Sequence, residues 1–312
     1  MHPDRLLDGR LKLRHLVLAT TIAEQGTIIG AAEALHVTQP VVTRGLHDLE
    51  TVLGVSLFDR HPRGVTPTLY GATFLEHAQS VLAQIRQAGE QITMLQEGDL
   101  GAVTIGIHLA GSNILLPTAI AALKAEHPNV TVTVREGTPD ALQNDLLAGH
   151  VDLVVGRLTG TASHRLIREP LYVEPIRLAA RRSHPVHRLH NPGLSELVDY
   201  PWILPVGQTA LRSELEDVFA AEGISLPLNR IECTSILTVQ HLLRTTDVIA
   251  VLPVLITTSD NEVELISTPL KGIGRAVGVT LPSDRALPPA AEIMRRHLHD
   301  EAATLQRTLR PR

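Results

Sequence analysis

The sequence predicts an all-α winged helix-turn-helix, then a long linker helix, then an α/β domain of two lobes. Three patterns lead there. Two short apolar-striped helices and a basic hairpin fill Thr27 to Gly71. From Phe74 an apolar residue recurs at alternating steps of four and three. Beyond Gly101 strand-like and helix-like segments alternate to the end of the chain.

In the first region Ile28, Ala31, Ala32 and Leu35 mark one helical face, His36-Val37 forms a turn, and Val42, Leu46, Leu49 and Leu53 mark a second helix. Thr38 stands where a side chain caps that helix, Pro40 falls in its first turn where a missing N–H does little harm, and Gly54 stands where a helix stops. With Val42, Leu46 and Leu49 turned inward, the rows Gln39/Thr43/His47 and Pro40/Arg44 face outward. Gln pairs bidentately with adenine and Arg with guanine or a phosphate, so this helix start suits a major groove. The hairpin Phe58 to Leu69 offers Arg60, His61 and Arg63 around Gly64, a wing for a neighbouring minor groove or backbone.

The linker seam runs through Phe74, Ala78, Val81, Ile85, Ala88, Ile92 and Leu95. So narrow a stripe is most economically covered by the same helix of a second copy, which also places two winged modules on one spacer to read two half-sites. The polar segment Gln96, Glu97, Gly98, Asp99 and Gly101 reads as a hinge. The expected domains are therefore 1–70, 71–98 and 99–312.

In the last part, strand-like Val103 to Leu109, helical Ile114 to Glu126, strand-like Val130 to Val134, helical Ala141 to Ala148 and an apolar strand from Val151 to Val155 ended by Gly156 predict a parallel sheet. A second set follows: strands Leu171 to Ala180 and Trp202 to Pro205, helix Leu211 to Glu222, strand Arg230 to Cys233, helix Ile236 to Arg244 and strand Val248 to Leu252. Strand Ala276 to Leu281 and helix Ala290 to Leu309 complete it. Lobe 1 is expected over about 101–159 and 270–312, and lobe 2 over about 160–269. Ligands of such sheets sit at the carboxyl ends of strands, beside helix N-termini that favour an anion. Those ends carry Gly111, Ser112 and Asn113, then Thr138, then Arg157, and in the second lobe Gly207 and Thr209, then Thr234 and Ser235.

Composition narrows the function classes. The chain has 312 residues, 44% apolar and 20% charged, with a formal net charge of -5, so affinity for a polyanion has to come from a local patch. With aromatics at 2%, base stacking is an unsuitable mode of nucleic-acid binding. A lone Cys233 excludes an internal disulfide and a CxxC metal site, and MHPDRLLDGRLKLRH lacks the apolar core of a signal peptide, so a soluble chain in a reducing cytoplasm is expected. His184, His187 and His190 fall in a proline-flanked segment and read as a loop, not as metal ligands. Gly272-Ile273-Gly274 with Gly278 precedes a strand, unlike a nucleotide-binding loop, and no catalytic motif is found. No cofactor and no metal are therefore expected.

Leu13 to Gly71 resembles the winged helix-turn-helix of LysR-type transcriptional regulators. The family pattern is matched through Ala31, Ala32, Glu33, Leu35, Thr38, Gln39, Pro40, Val42, Thr43, Arg44, Leu46, Leu49, Glu50, Leu53, Gly54, Leu57, Phe58 and Arg60. The resemblance implies DNA contact by Thr38, Gln39, Pro40, Thr43 and Arg44 and wing contact by Arg63. It further implies a linker-helix homodimer assembling into a tetramer, and an effector domain like the periplasmic solute-binding proteins. REGTPDALQNDLLAGHVDLVVGRL resembles the branch with regulators of sugar uptake and protocatechuate catabolism. Gly45 departs from the family's usual helix former, at roughly 1 kcal/mol relative to Ala; either a softer helix or close packing accounts for it. The expected activity is ligand-responsive binding of double-stranded operator DNA by a homo-oligomer, with RNA polymerase as a further partner of an activator and a small anionic or polar metabolite between the lobes. The competing reading is a solute-binding or enzymatic α/β protein with an N-terminal interaction module.

Overall fold

The structure is a computed structural model that describes residues 6–97, 101–108, 114–158, 163–207, 209–257, 261–270, 272–274 and 276–309. It divides into two compact units, Met1–Gly98 with Leu147–His150, and Asp99–Leu146 with Val151–Arg312.

The first unit contains α1 (Leu13–Gln25), α2 (Ile28–Ala34), α3 (Gln39–Leu53), a hairpin of β1 (Phe58–His61) and β2 (Gly64–Pro67), and the long α4 (Leu69–Glu97). Helix α1 is an element the apolar-stripe reading did not resolve. Its Leu18, Ala19 and Ile22 close a core with Ala31, Ala32, Val42, Leu46 and Leu49. Thr27 caps α2 by accepting from the Gly30 N–H at 3.0 Å. Gly54 ends α3 in the left-handed conformation, φ 72°, where a side chain would be strained. Thr38 occupies the N-cap position of α3 with extended backbone, but its side chain makes no capping bond, which corrects the capping role expected of it. Gly45 lies where a Cβ would meet Leu18 Cδ1 at 2.9 Å, so close packing of α3 on α1 explains that glycine.

The second unit holds two five-stranded sheets. The first has the order β4-β3-β5-β12-β6, from β3 (Ala102–Ile107), β4 (Thr131–Glu136), β5 (Leu153–Arg157), β6 (Leu166–Val173) and β12 (Ala276–Pro282). Strands β3, β4 and β5 run parallel, while β12 is antiparallel to both β5 and β6. The sheet is therefore mixed, where the alternation of elements had predicted a parallel one. Helices α5 (Leu115–Glu126) and α11 (Pro289–Leu309) cover one core with Leu115, Ala119, Leu123, Met294 and Leu298, and α6 (Pro139–Ala148) links β4 to β5.

The second sheet has the order β11-β7-β10-β8-β9, from β7 (Ile176–Arg181), β8 (Trp202–Leu204), β9 (Arg230–Glu232), β10 (Ile249–Pro253) and β11 (Val263–Leu265). It is mixed as well: β8, β9 and β10 are parallel, and β7 is antiparallel to β10 and β11. Short helix α7 (Leu194–Leu197), α8 (Ala210–Ala221), α9 (Ile236–Thr245) and short α10 (Val254–Thr257) complete this lobe. Trp202 and Phe219 meet edge to face at 5.6 Å in its core, and the indole N–H donates to the Leu197 carbonyl at 2.8 Å.

Two boundaries differ from the sequence expectation. Leu171 to Ala180 is not one strand but the end of β6 and most of β7, in different sheets, broken at Glu174-Pro175. The chain consequently leaves the first sheet after Val173, not near 156–160. Proline has no N–H to give a ladder, so the break falls where pairing on one sheet ends.

Candidate nucleic-acid interface and interlobe site

Helix α3 separates its residues as the apolar spacing requires. Val42, Leu46 and Leu49 are essentially inaccessible, while Thr38, Gln39, Pro40, Arg44 and His47 are exposed and Thr43 is half-buried. Val41, 52% exposed, stands on the same outward edge and escaped the sequence reading because an apolar residue in an amphipathic helix is ordinarily assigned to the core. Such a side chain suits the methyl group of a thymine.

The wing is fixed to the helices by hydrogen bonds at α3 and at the end of α1. Glu50 on α3 accepts from the Leu57 N–H at 2.7 Å, and Val65 donates its N–H to the Gly26 carbonyl at 2.8 Å. A Cβ on Gly64 would lie 2.3 Å from that same carbonyl, so only glycine lets the hairpin approach. Arg60, His61 and Arg63 are all exposed there. Thr68 seats the start of α4, donating to the Ser56 carbonyl at 2.8 Å and accepting from the Gly71 N–H at 3.0 Å.

The linker seam behaves in two ways. Phe74 packs on the α1–α3 core and Ala78 is buried at 2% exposure within its own chain, which corrects their assignment to a wholly intermolecular stripe; the buried Leu75 beside them anchors the helix in that core. Val81, Ile85 and Ile92 are 45%, 48% and 58% exposed, and Ala88 is exposed. The Leu95 side chain lies outside the described ones. An open apolar groove of about 510 Å³ runs beside the stripe, lined among others by Leu6, Leu11, Leu16, Tyr70 and Val81.

In the second unit, Gly111, Ser112 and Asn113 lie outside the described residues. Thr138, exposed after β4, accepts from the Ala141 N–H at 3.4 Å, and Thr209 and Ser235 accept from the Arg212 and Thr238 N–H groups at 3.3 and 3.4 Å. These three are thus helix caps. Gly207 and Thr234 are exposed. Arg212, on the first turn of α8, donates to the Pro205 carbonyl, Glu232 and Glu216 at 2.8 to 3.0 Å, pinning the carboxyl ends of β8 and β9 together.

Arg157 is the candidate whose surroundings differ most from expectation. It does not follow β5 in a loop but ends the strand, paired with Val277 of β12. Its side chain is 4% exposed and crosses to the second lobe, where Nη2 donates to Glu214 Oε2 on α8 at 2.8 Å. His108 lies against the same strand, with its ring where a Gly156 Cβ would stand, 2.4 Å from Nε2; burial and the Arg157 charge hold this imidazole below its ordinary pKa. Glu174, 2% exposed in the crossover between the sheets, is pushed up to about 7 by burial, against the opposing pull of Arg157. Burial also raises the neighbouring Tyr172 phenol, and the Glu174 charge adds to it. Neither Glu174 nor Glu214 carried a sequence signal: one precedes a proline, the other sits in an ordinary amphipathic helix.

Other polar candidates have structural occupations. His184 accepts from the Val186 N–H at 2.9 Å, lies 3.2 Å from the Asp247 carbonyl through Nε2, and packs at a tilt against the Tyr200 ring. Among the described residues no group of three His, Cys, Asp or Glu side chains could hold a metal ion, and no helix is long and apolar enough to cross a membrane.

Comparison with known proteins agrees with this architecture. Residues 13–72 match the bacterial regulatory helix-turn-helix of the lysR family, and residues 74–303 match the LysR substrate binding domain. Similar relatives are the HTH-type transcriptional regulator GbpR of Azospirillum brasilense, 36% identical over 73% of this chain and 68% of its own length, and PcaQ of Agrobacterium fabrum, 36% identical over 78% and 79%. Among solved structures, a full-length OxyR variant from Pseudomonas aeruginosa superposes with TM-score 0.63 at 22% identity, covering 94% of both chains. CbnR superposes at 0.52 and 23%, covering 92% of this chain and all of its own. These two share the fold. With a helix-turn-helix whose reading edge is outward and a two-lobed α/β domain following it in the chain, the protein belongs to the LysR family of DNA-binding transcriptional regulators and is not an enzyme.

Proposed function

We propose that this regulator binds operator DNA as a homodimer, with Thr38, Gln39, Pro40, Thr43 and Arg44 in the major groove and Arg63 on the flanking backbone or minor groove. The observation that carries the reading is the outward edge of α3, where Gln39 and Arg44 stand exposed over the buried row Val42, Leu46 and Leu49. The pairing of two copies is supported by the exposed Val81, Ile85, Ala88 and Ile92 on α4 and by the apolar groove beside them, which one chain leaves open to solvent. Dimers joining into a tetramer, contact with RNA polymerase in an activator, and residence in the cytoplasm on the nucleoid belong to the same reading.

A small anionic or polar metabolite binds between the lobes, with Arg157 the charged group that receives it, and Thr138, Gly207, Thr209, Thr234 and Ser235 at the surrounding strand ends. Gly111, Ser112 and Asn113 complete the proposed set. The ligand acts by favouring one lobe arrangement over another, since only differential affinity moves such an equilibrium. The test is a gel shift on DNA upstream of the protein's own gene across a salt series. Parent protein should lose affinity steeply with salt, and Gln39→Ala and Arg44→Ala should lose specific binding while remaining dimeric. Unchanged footprints for both variants refute the assignment.

A further inference from the structure

Glu214 meets Arg157 through a single nitrogen, Nη2, while Nε and Nη1 of the same guanidinium are buried with no hydrogen-bond partner among the described residues. A guanidinium is a planar fork whose strongest partner is an anion taking two parallel N–H bonds. Here one oxygen serves one tine. Nearby, Glu174 Oε2 is buried and likewise without a partner among the described residues. The three groups come from three parts of the second unit: β5 of the first sheet, α8 of the second lobe, and the crossover between them. A buried ion pair with orphaned donors is a poor staple, because well-packed apolar side chains hold two surfaces at least as well. An under-saturated guanidinium at a lobe junction is instead suited to exchange one anion for another.

From this the geometry points to Glu214 as an internal stand-in for the carboxylate of a ligand: its side chain holds Arg157 across the junction, and a carboxylate ligand binds by taking the Arg157 fork bidentately and releasing α8 from β5. The inference rests on the interlobe ligand reading and deepens it by naming the ligand class and the residue displaced. Bridge and ligand exclude each other at Arg157, so each weakens the other by the same factor. The bridge also serves selectivity. A neutral amide isostere loses less hydration than a carboxylate on burial but cannot repay the lost Glu214 contact, whereas a carboxylate replaces it with two bonds.

The test uses the full chain and four probes, benzoate and succinate against benzamide and succinamide, with affinity read from the fluorescence of Trp202 and from the melting temperature. Glu214→Gln keeps the side chain's shape and removes its charge. It should bind at least one carboxylate about tenfold tighter than the parent or better, with the amides unchanged, and adding Arg157→Gln should abolish the gain. Equal carboxylate affinity in parent and variant, no carboxylate binding by the variant, or a matching gain for the amides overturns the inference. If Glu214→Gln does not fold, Glu214→Asp decides: its shorter reach should give a smaller gain in the same direction, and parent-like affinity overturns the inference. Operator binding by the parent is measured alongside. Its loss refutes the DNA-binding reading, whereas intact operator binding without the carboxylate gain refutes only the role given to Glu214.

Discussion

Replacing Glu174 by Gln isolates one buried ionisation and turns it into a stability difference. The Glu174 carboxyl ionises near 4.5 in an ordinary setting and near about 7 in the folded chain, because burial at the crossover outweighs the attraction of Arg157. A carboxyl that holds its proton more tightly when folded favours folding while the proton is on. That contribution is fully present below about pH 4.5, declines as the unfolded chain ionises first, and is gone once pH passes the folded value near 7. At 1.36 kcal/mol per pKa unit the interval amounts to roughly 3 kcal/mol between acid and neutral solution. The assay is urea unfolding followed by Trp202 fluorescence, a suitable reporter because this one tryptophan is fully buried in the second lobe. His15, His108 and His184 titrate in the opposite sense: burial lowers each, so they cost stability at low pH and release it as pH rises toward 6.5. Subtracting the Glu174→Gln profile from the parent's removes them. The difference between parent and variant should shift toward the variant by roughly 3 kcal/mol between about pH 4 and about pH 8. Parallel profiles would refute the account of Glu174 as a retained proton.

Two close-packed helical glycines of the DNA-binding unit, Gly45 and Gly71, should respond unequally to alanine. At Gly45 the new methyl meets the flexible end of Leu18 while the helix gains about 1 kcal/mol, so thermal melting should stay within about 1 kcal/mol of the parent; at Gly71 it would stand 1.9 Å from the Leu57 carbonyl, and loss of about 2 kcal/mol or more is expected. Leu46→Ala empties a site that is 1% exposed, which should cost about 2–5 kcal/mol in chemical denaturation and abolish operator binding through unfolding, not through lost contacts. Val81→Asp with Ile85→Asp puts charge on the exposed stripe of α4; light scattering should find monomers, and an unchanged mass would remove the stripe from the dimer interface. Arg63→Ala should weaken binding to all DNA sequences alike and flatten the salt dependence by about one ion, whereas a change in sequence preference would place Arg63 on a base.

The DNA-binding unit was legible along the chain because its signals are local. A helix of period 3.6 declares its buried face by spacing alone, so Val42, Leu46 and Leu49 implied the outward Gln39 and Arg44 before any packing was known. Gly54 and Pro40 announced the helix ends for equally local reasons of backbone conformation. What the spacing could not say is which neighbour covers a stripe: Phe74 and Ala78 belong to the same heptad pattern as Val81 and Ile85, yet Phe74 packs on the α1–α3 core and Ala78 is buried within its own chain.

The sequence by itself determined the order of helices and strands, the reading edge of α3 and the membership of the family, all properties carried by nearest neighbours along the chain. Only the tertiary structure decided that both sheets are mixed, that the chain crosses between them at Glu174 and Pro175, and that Arg157 meets Glu214, 57 residues away. Strand direction and buried charge pairing depend on which surfaces meet across long loops. Such contacts are selected by the free energy of the whole core and leave no periodic mark on either segment.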